Sequence, residues 1–309
     1  MLAYFLCIVL SGAALRRWKK EDALKRSRYW QLYGLFCGLI LCGSCFGVLS
    51  WLSWMQRLVN NYQANDSPPP TADRAKYFSE TSSFYARSYR WYAAFSIFYP
   101  VEFFSLSLAE LLVLDRMYQF VARMSNTMSN TSNLPTVTSP RRWVIGRQIV
   151  VSLVLAGNFV GLAGNIAAAV YHAKASELFS ASSSAAAASA GGVNVSNEFR
   201  DLYQQARVAN DRAVSVGAVQ SFCEVFVLIL IVAAYFAVCF SSVRRMRLMM
   251  SSLDAVPSIT SSSSLLKMLA KQLHLRIFCT TASVFFAFIM RSSYSTMYPP
   301  PNSQTTFRF

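Results

Sequence analysis

Long apolar stretches recur along this chain, and they constrain its fold more than any other feature of the sequence. A helix that crosses a bilayer needs about 20 predominantly apolar residues, because the hydrocarbon core is about 30 Å thick. Six stretches fit or approach this length, at about residues 1–15, 30–55, 91–114, 143–171, 214–240 and 277–297. Backbone polar groups in lipid must bond to one another, which a helix achieves within a single segment. The sequence therefore predicts an all-α polytopic transmembrane helix bundle of six spans, or a truncated seven-helix bundle.

Composition supports lipid as the main solvent of the chain. Of its 309 residues, 54% are hydrophobic and only 14% are charged, whereas a soluble domain carries about 25% charged residues. The formal net charge of +15 can indicate binding to nucleic acid or to an anionic membrane surface. Because the basic residues form short clusters beside the apolar stretches, we interpret them as membrane topology and expect no nucleic-acid binding.

No catalytic or metal-binding constellation emerges from the sequence. All seven cysteines lie in apolar stretches, which predicts neither a disulfide-linked ectodomain nor an exposed redox motif. The two histidines, His172 and His274, fall on opposite predicted sides of the membrane and cannot share a metal ion. We therefore favour a protein without a cofactor or metal that is not an enzyme, and a membrane enzyme is the less favoured alternative.

The basic clusters set the predicted orientation, because cytoplasmic loops carry an excess of Lys and Arg. Segments 16–28, 115–142 and 241–276 are strongly basic, whereas segments 56–90 and 172–213 carry nearly balanced charge. We therefore place the amino terminus outside, predict external loops at 56–90 and 172–213, and predict a basic cytoplasmic loop at 241–276. A secretory signal is the alternative for the first apolar stretch, but no basic region precedes it, so we favour an uncleaved helix.

The second external segment allows three more local predictions. Its Ser/Ala tract at 180–190 lacks large apolar side chains beyond Phe179 and predicts a mobile loop. The stretch 198–213 is rich in alternating charge and predicts a polar helix that leads into the fifth span. The sequon at Asn194 would be glycosylated if this segment is outside.

Ionisable side chains within the apolar stretches are costly unless they are paired or hydrated. Glu102 and Glu224 lie at similar predicted depth, and Arg291 lies near the outer end of the sixth span. These three residues form our candidate ligand or ion site. In the alternative interpretation, each carboxyl is protonated and hydrogen-bonded to Ser, Tyr or backbone, and Arg291 reaches the lipid headgroups.

Charged residues near the inner ends of the third and fourth spans predict pairing between helices. Glu110 and Arg147 each lie four residues from that end, so we expect an ion pair that holds the two helices in register. Asp115 and Arg116 follow at the membrane boundary. They look like the acid–arginine switch of G-protein-coupled receptors, which implies an arginine that the acid holds until activation.

Two stretches resemble a known family of membrane proteins. Residues 99–118 contain Tyr99-Pro100 and Phe103-Phe104-Ser105, and residues 286–294 read Phe-Ala-Phe-Ile-Met-Arg-Ser-Ser-Tyr. Both stretches are similar to the tobamovirus-multiplication family, in which a proline-containing Phe-Phe-Ser span and a late apolar span with an arginine recur. The resemblance implies a heptahelical endomembrane or vacuolar protein that scaffolds assemblies on its cytoplasmic face.

These observations lead to one expected function and one alternative. We expect an integral, multi-pass receptor or scaffold of heptahelical type, in the plasma membrane or an endomembrane. Its basic cytoplasmic loops would bind anionic lipid headgroups and a cytoplasmic protein partner. The alternative is a transporter or channel that uses Glu102, Glu224 and Arg291 as a polar site at the membrane midplane.

Overall fold

The computed structural model describes residues 1–20, 28–66, 74–131, 140–189 and 197–254, and almost all of them are helical. Five helices follow one another along the chain: α1 (Leu2–Lys20), α2 (Arg28–Asn65), α3 (Arg74–Thr131), α4 (Pro140–Ala188) and α5 (Asn197–Asp254). Across these ranges the chain forms no strand. The predicted all-α fold is therefore confirmed for the part of the chain that the structure describes.

Four helical segments are long and apolar enough to cross a membrane: Trp30–Asn65, Arg74–Gln119, Val144–Ala188 and Asn197–Arg244. They contain most or all of the predicted second, third, fourth and fifth spans, which fits a multi-pass membrane protein. A bundle of six spans is not shown. Helix α1 is not among the four, because its apolar part ends at the basic residues Arg16 and Arg17. The predicted span at 277–297, which includes Arg291, lies outside the described residues.

The long helices extend well beyond their apolar stretches. A helix of 58 residues such as α3 is about 87 Å long at 1.5 Å per residue, and the hydrocarbon core needs only about 30 Å. The polar ends that share one predicted side of the membrane pack together. We call them the polar bundle, which consists of residues 57–65 of α2, 74–90 of α3, 172–188 of α4 and 197–212 of α5.

The Ser/Ala tract shows that one sequence prediction was wrong. Helix α4 continues through the tract to Ala188, where a mobile loop was predicted. Alanine is the best helix former, and the small side chains allow α4 to approach α3 closely. The Ser183 hydroxyl donates to the backbone carbonyl of Ser79 at 2.8 Å. The predicted polar helix at 198–213 is confirmed as the beginning of α5.

Helix α1 packs antiparallel against α2 through two glycines. A β-carbon at Gly47 would overlap the Tyr4 ring, and one at Gly34 would overlap the Trp18 indole. Beside Gly34, the indole Nε1 of Trp18 also donates to the backbone carbonyl of Trp30 at 2.7 Å. The glycines therefore permit the close approach of α1, which lies along the apolar stretch of α2.

The chain divides into two compact units. The first comprises Met1–Leu112 with Ala156–Glu224, and the second comprises Val113–Leu155 with Val225–Phe309. The polar bundle and the α1–α2 pair belong to the first unit. In the second unit, the described core contains the buried side chains of Leu114, Val154, Ile231, Tyr235 and Val238.

Candidate functional site

Both carboxyls predicted at membrane depth are buried, and each accepts a hydrogen bond from a tyrosine on another helix. Glu102 is 3% exposed and Glu224 is 9% exposed. The Tyr4 hydroxyl of α1 donates to Oε1 of Glu102 at 2.7 Å. The Tyr99 hydroxyl of α3 donates to Oε1 of Glu224 on α5 at 2.6 Å. This arrangement corresponds to the hydrogen-bonded alternative considered from the sequence.

The two tyrosine–carboxyl pairs are linked through α3. Tyr99 and Glu102 are three residues apart, which is about one helical turn. Helix α3 therefore accepts a hydrogen bond from α1 at one position and donates one to α5 a turn away. Hydrogen bonds are electrostatically stronger in a low-dielectric interior than in water, so these pairs join three helices where lipid would make an unbonded carboxyl costly.

A buried arginine surrounded by aromatic rings was missed by the sequence analysis. Arg57 is buried on α2 at the start of the polar bundle. Its guanidinium carbon lies 3.5 Å from the ring centroid of Tyr92 and 4.6 Å from that of Trp54. A desolvated cation over an aromatic face gains about 2 kcal/mol or more. Within the described ranges, these rings rather than a carboxylate hold the charge of Arg57.

His172 continues this group of rings into the polar bundle. Its buried imidazole lies 4.0 Å from the Tyr92 ring and 6.0 Å from the Tyr89 ring, measured between centroids. The Tyr89 ring stacks in turn on Phe179 at 5.2 Å, with an interplanar angle of 7°. We call Trp54, Arg57, Tyr89, Tyr92, His172 and Phe179 the aromatic column. In the described part of the chain, no group of three His, Cys, Asp or Glu side chains could hold a metal ion.

A polar cluster in the second unit joins α3 to α4. Arg147 Nε forms an ion pair with Oδ1 of Asp115. The Gln119 side-chain amide donates to Oδ2 of Asp115 at 2.7 Å, and Arg116 Nη1 donates to the Gln119 oxygen at 3.2 Å. The sequence predicted Glu110 as the partner of Arg147, and that pairing stays a prediction. The ion pair with Asp115, five residues further along α3, was not predicted, because the axial register of two neighbouring helices decides it.

The Asp115–Arg147 ion pair should contribute modestly to stability, because both side chains are partly solvated. We expect Asp115→Asn and Arg147→Gln to be non-additive by about 0.2–1 kcal/mol in the free energy of unfolding, measured in mixed micelles. The matched cycle of Asp115→Asn with Gln148→Ala, which alters the exposed neighbour of Arg147, should be additive. Additivity of Asp115→Asn and Arg147→Gln would contradict the ion pair.

Arg291 and the sequon residue Asn194 lie outside the described residues, so the three-residue site and the glycosylation stay predictions. Glu102 and Glu224 are each joined to a tyrosine, and Asp115 and Arg116 share Gln119 as a neighbour.

Comparison with known proteins found no match for this chain. No family model matches the sequence, and no curated protein or solved structure matches it either. The resemblance to the tobamovirus-multiplication family therefore stays an expectation from the sequence.

Proposed function

We propose that this chain is a multi-pass membrane receptor or scaffold that is not an enzyme. It presents the polar bundle on the outer side of the membrane and its basic segments on the cytoplasmic side. The observation that carries the proposal is the packed polar bundle. Phe78 packs against Phe199, the Tyr85 hydroxyl donates to Asn65, and Ser176 donates to the backbone of Ala86.

A packed bundle outside the apolar stretches supports a binding role. A disordered loop loses conformational entropy when it binds a partner, whereas a folded helical surface is already ordered and avoids this loss. The aromatic column and the buried alanines make this part of α3, α4 and α5 a folded domain. Polar helices of this kind offer a fixed surface for a partner. A transporter or channel does not need them to move a solute through lipid.

The proposed role of the cytoplasmic face rests on the positive charge of three segments. Segments 16–28, 115–142 and 241–276 carry the basic clusters, and each Lys or Arg near an anionic membrane surface contributes about 1 kcal/mol of attraction. Such segments bind anionic lipid headgroups and acidic surfaces of cytoplasmic proteins. The resemblance stated from the sequence, which implies a scaffold on this face, agrees with this assignment.

The transporter or channel alternative is favoured by one specific observation. The Tyr4–Glu102 and Tyr99–Glu224 pairs lie one turn apart on α3, and buried carboxyls within membrane helices commonly serve proton-linked transport. Against it, both carboxyls are already bonded across helix interfaces and nearly inaccessible.

Proximity labelling in cells tests the receptor or scaffold proposal. Replacing Arg244, Arg245 and Arg247 together by glutamine should reduce labelling of cytoplasmic neighbours at least about fivefold, because one charge alone contributes about 1 kcal/mol. The matched control replaces three exposed cations of the polar bundle, Arg90, Lys174 and Arg212. That control should leave the cytoplasmic neighbours unchanged, and an equal loss in both variants would contradict the proposal.

Flux through reconstituted liposomes separates the two functions. A receptor or scaffold should carry no proton flux that depends on Glu102 or Glu224. A flux that disappears in Glu102→Gln and persists in the exposed control Glu80→Gln would replace the proposal by the transporter alternative.

A further inference from the structure

Helices α1 and α2 line a cavity of about 670 Å³ whose walls change from apolar to basic along α1. Its lining residues are Ile8, Val9, Gly12, Ala13, Arg16, Arg17 and Lys20 of α1 and Leu41 of α2. The α1 residues recur every three or four positions, so they share one face of the helix. We call this cavity the α1 groove.

The length of the α1 groove corresponds to one leaflet of a bilayer. Ile8 and Lys20 are twelve residues apart, which is about 18 Å along a helix. Half of the hydrocarbon core is about 15 Å. A groove of this length runs from the interior of a leaflet to its headgroups, with the apolar residues deep and the cations at the surface.

The apolar part of the groove is open to lipid. A β-carbon at Gly12 would meet no atom within 4 Å, so the space beside this residue is empty. Around it, α1 presents large apolar side chains that are each more than half exposed: Leu2, Phe5, Leu6, Val9 and Leu10. Exposed apolar surface of this extent indicates contact with acyl chains rather than with water.

The basic end of the groove suits a phosphate group. Arg16 and Lys20 are exposed and lie one turn apart, and neither has a carboxylate partner within the described residues. The next acidic residues along the chain, Glu21 and Asp22, lie outside those residues. Arginine binds phosphate oxygens through two parallel hydrogen bonds, and lysine adds a point charge. Charge complementarity therefore favours an anionic headgroup at this end.

We infer that the α1 groove binds one anionic phospholipid. One acyl chain lies along Ile8, Val9 and Gly12, and the headgroup phosphate contacts Arg16, Arg17 and Lys20. The apolar length of the groove requires a lipid rather than a free phosphate. This inference rests on the proposed binding of anionic lipid by segment 16–28 and gives it a site, but it does not require a receptor or scaffold, because a transporter with the same helices would hold the same lipid.

Native mass spectrometry of the purified full chain tests the inference. After removal of lipid and incubation with equal amounts of phosphatidylserine and phosphatidylcholine, the protein should retain phosphatidylserine preferentially. The double variant Arg16→Gln/Lys20→Gln should reduce this preference about 30-fold, since each cation contributes about 1 kcal/mol. Gly12→Leu should abolish retention of phosphatidylserine, because the new side chain enters the groove at a position where its β-carbon meets no atom within 4 Å.

Lys19→Gln is the matched control, because it removes one charge from the same helix at a position that does not line the groove. It should retain phosphatidylserine like the unaltered chain. The single variant Arg16→Gln should reduce the preference about fivefold, and the inference is overturned if Lys19→Gln loses as much, which would indicate diffuse attraction. It is also overturned if Gly12→Leu still retains the lipid, or if inorganic phosphate alone displaces it. An unchanged unfolding temperature in each variant shows that the loss is not due to misfolding.

Discussion

Replacing Phe179 by alanine is expected to destabilise the polar bundle by about 3–5 kcal/mol, as truncation of a fully buried phenylalanine does. Phe179 is 2% exposed. Its ring lies 5.6 Å from Tyr85, 5.2 Å from Tyr89 and 5.3 Å from Tyr203, measured between centroids. The remaining neighbours include small residues such as Ala86, which cannot fill the space that the ring leaves. The free energy of unfolding in mixed micelles measures the effect.

Tyr62 provides the control for this prediction, since it is an aromatic residue of the same bundle that is 68% exposed. Tyr62→Ala should change the free energy of unfolding by no more than about 0.5 kcal/mol, because most of its side chain is exposed. Equal losses for the two substitutions would mean that Phe179 is not packed as described. In that case, the polar bundle would lose its status as a folded domain, and the receptor or scaffold proposal would lose its main support.

Gly47→Val should detach α1 from α2 and destabilise the first unit by about 3–5 kcal/mol. A side chain at this position overlaps the Tyr4 ring, and overpacking of this kind costs about 1–3 kcal/mol. Moving Tyr4 also breaks its hydrogen bond to Glu102, and the loss of a donor to a buried polar group costs about 1–3 kcal/mol. Unfolding in mixed micelles again measures the change.

Two further variants show whether the loss has this origin. Gly38→Val is the matched control, because a β-carbon at Gly38 meets no atom within 4 Å, and it should be nearly neutral. Tyr4→Phe should destabilise the unaltered chain but have no further effect in the Gly47→Val background, where the tyrosine has already left Glu102. Full additivity of Tyr4→Phe and Gly47→Val would refute the proposed contact between α1 and α3.

The apolar stretches could be predicted because lipid imposes length and composition on any helix that crosses it. The positions at which the helices end could not be predicted. The tract around Ser183 carries no apolar stripe, and it is helical because its small side chains fit against α3 and donate to its backbone. Such a fit depends on residues about 100 positions away in the sequence, and no local pattern reveals it.

The site residues could also be predicted only in part. Glu102 and Glu224 stood out because a carboxyl in an apolar stretch is rare and costly. Their partners Tyr4 and Tyr99 did not stand out, because a tyrosine in such a stretch is ordinary. Arg57 was missed since it fell in a segment predicted to be a loop, although Trp54 three residues earlier on the same helix face was a visible signal.

The polar bundle extends beyond the apolar stretches, so its two ends would lie at different distances from the membrane surface. Residues 74–90 span about 25 Å along the helix, while electrostatic fields in physiological salt decay over about 8 Å. With the third span beginning at residue 91, as the sequence predicts, Arg90 would lie within reach of charged headgroups and Arg74 about three screening lengths away from them. A ligand that docked near Arg74 would then be insulated from the lipid composition, whereas one that docked near Arg90 would compete with the headgroups.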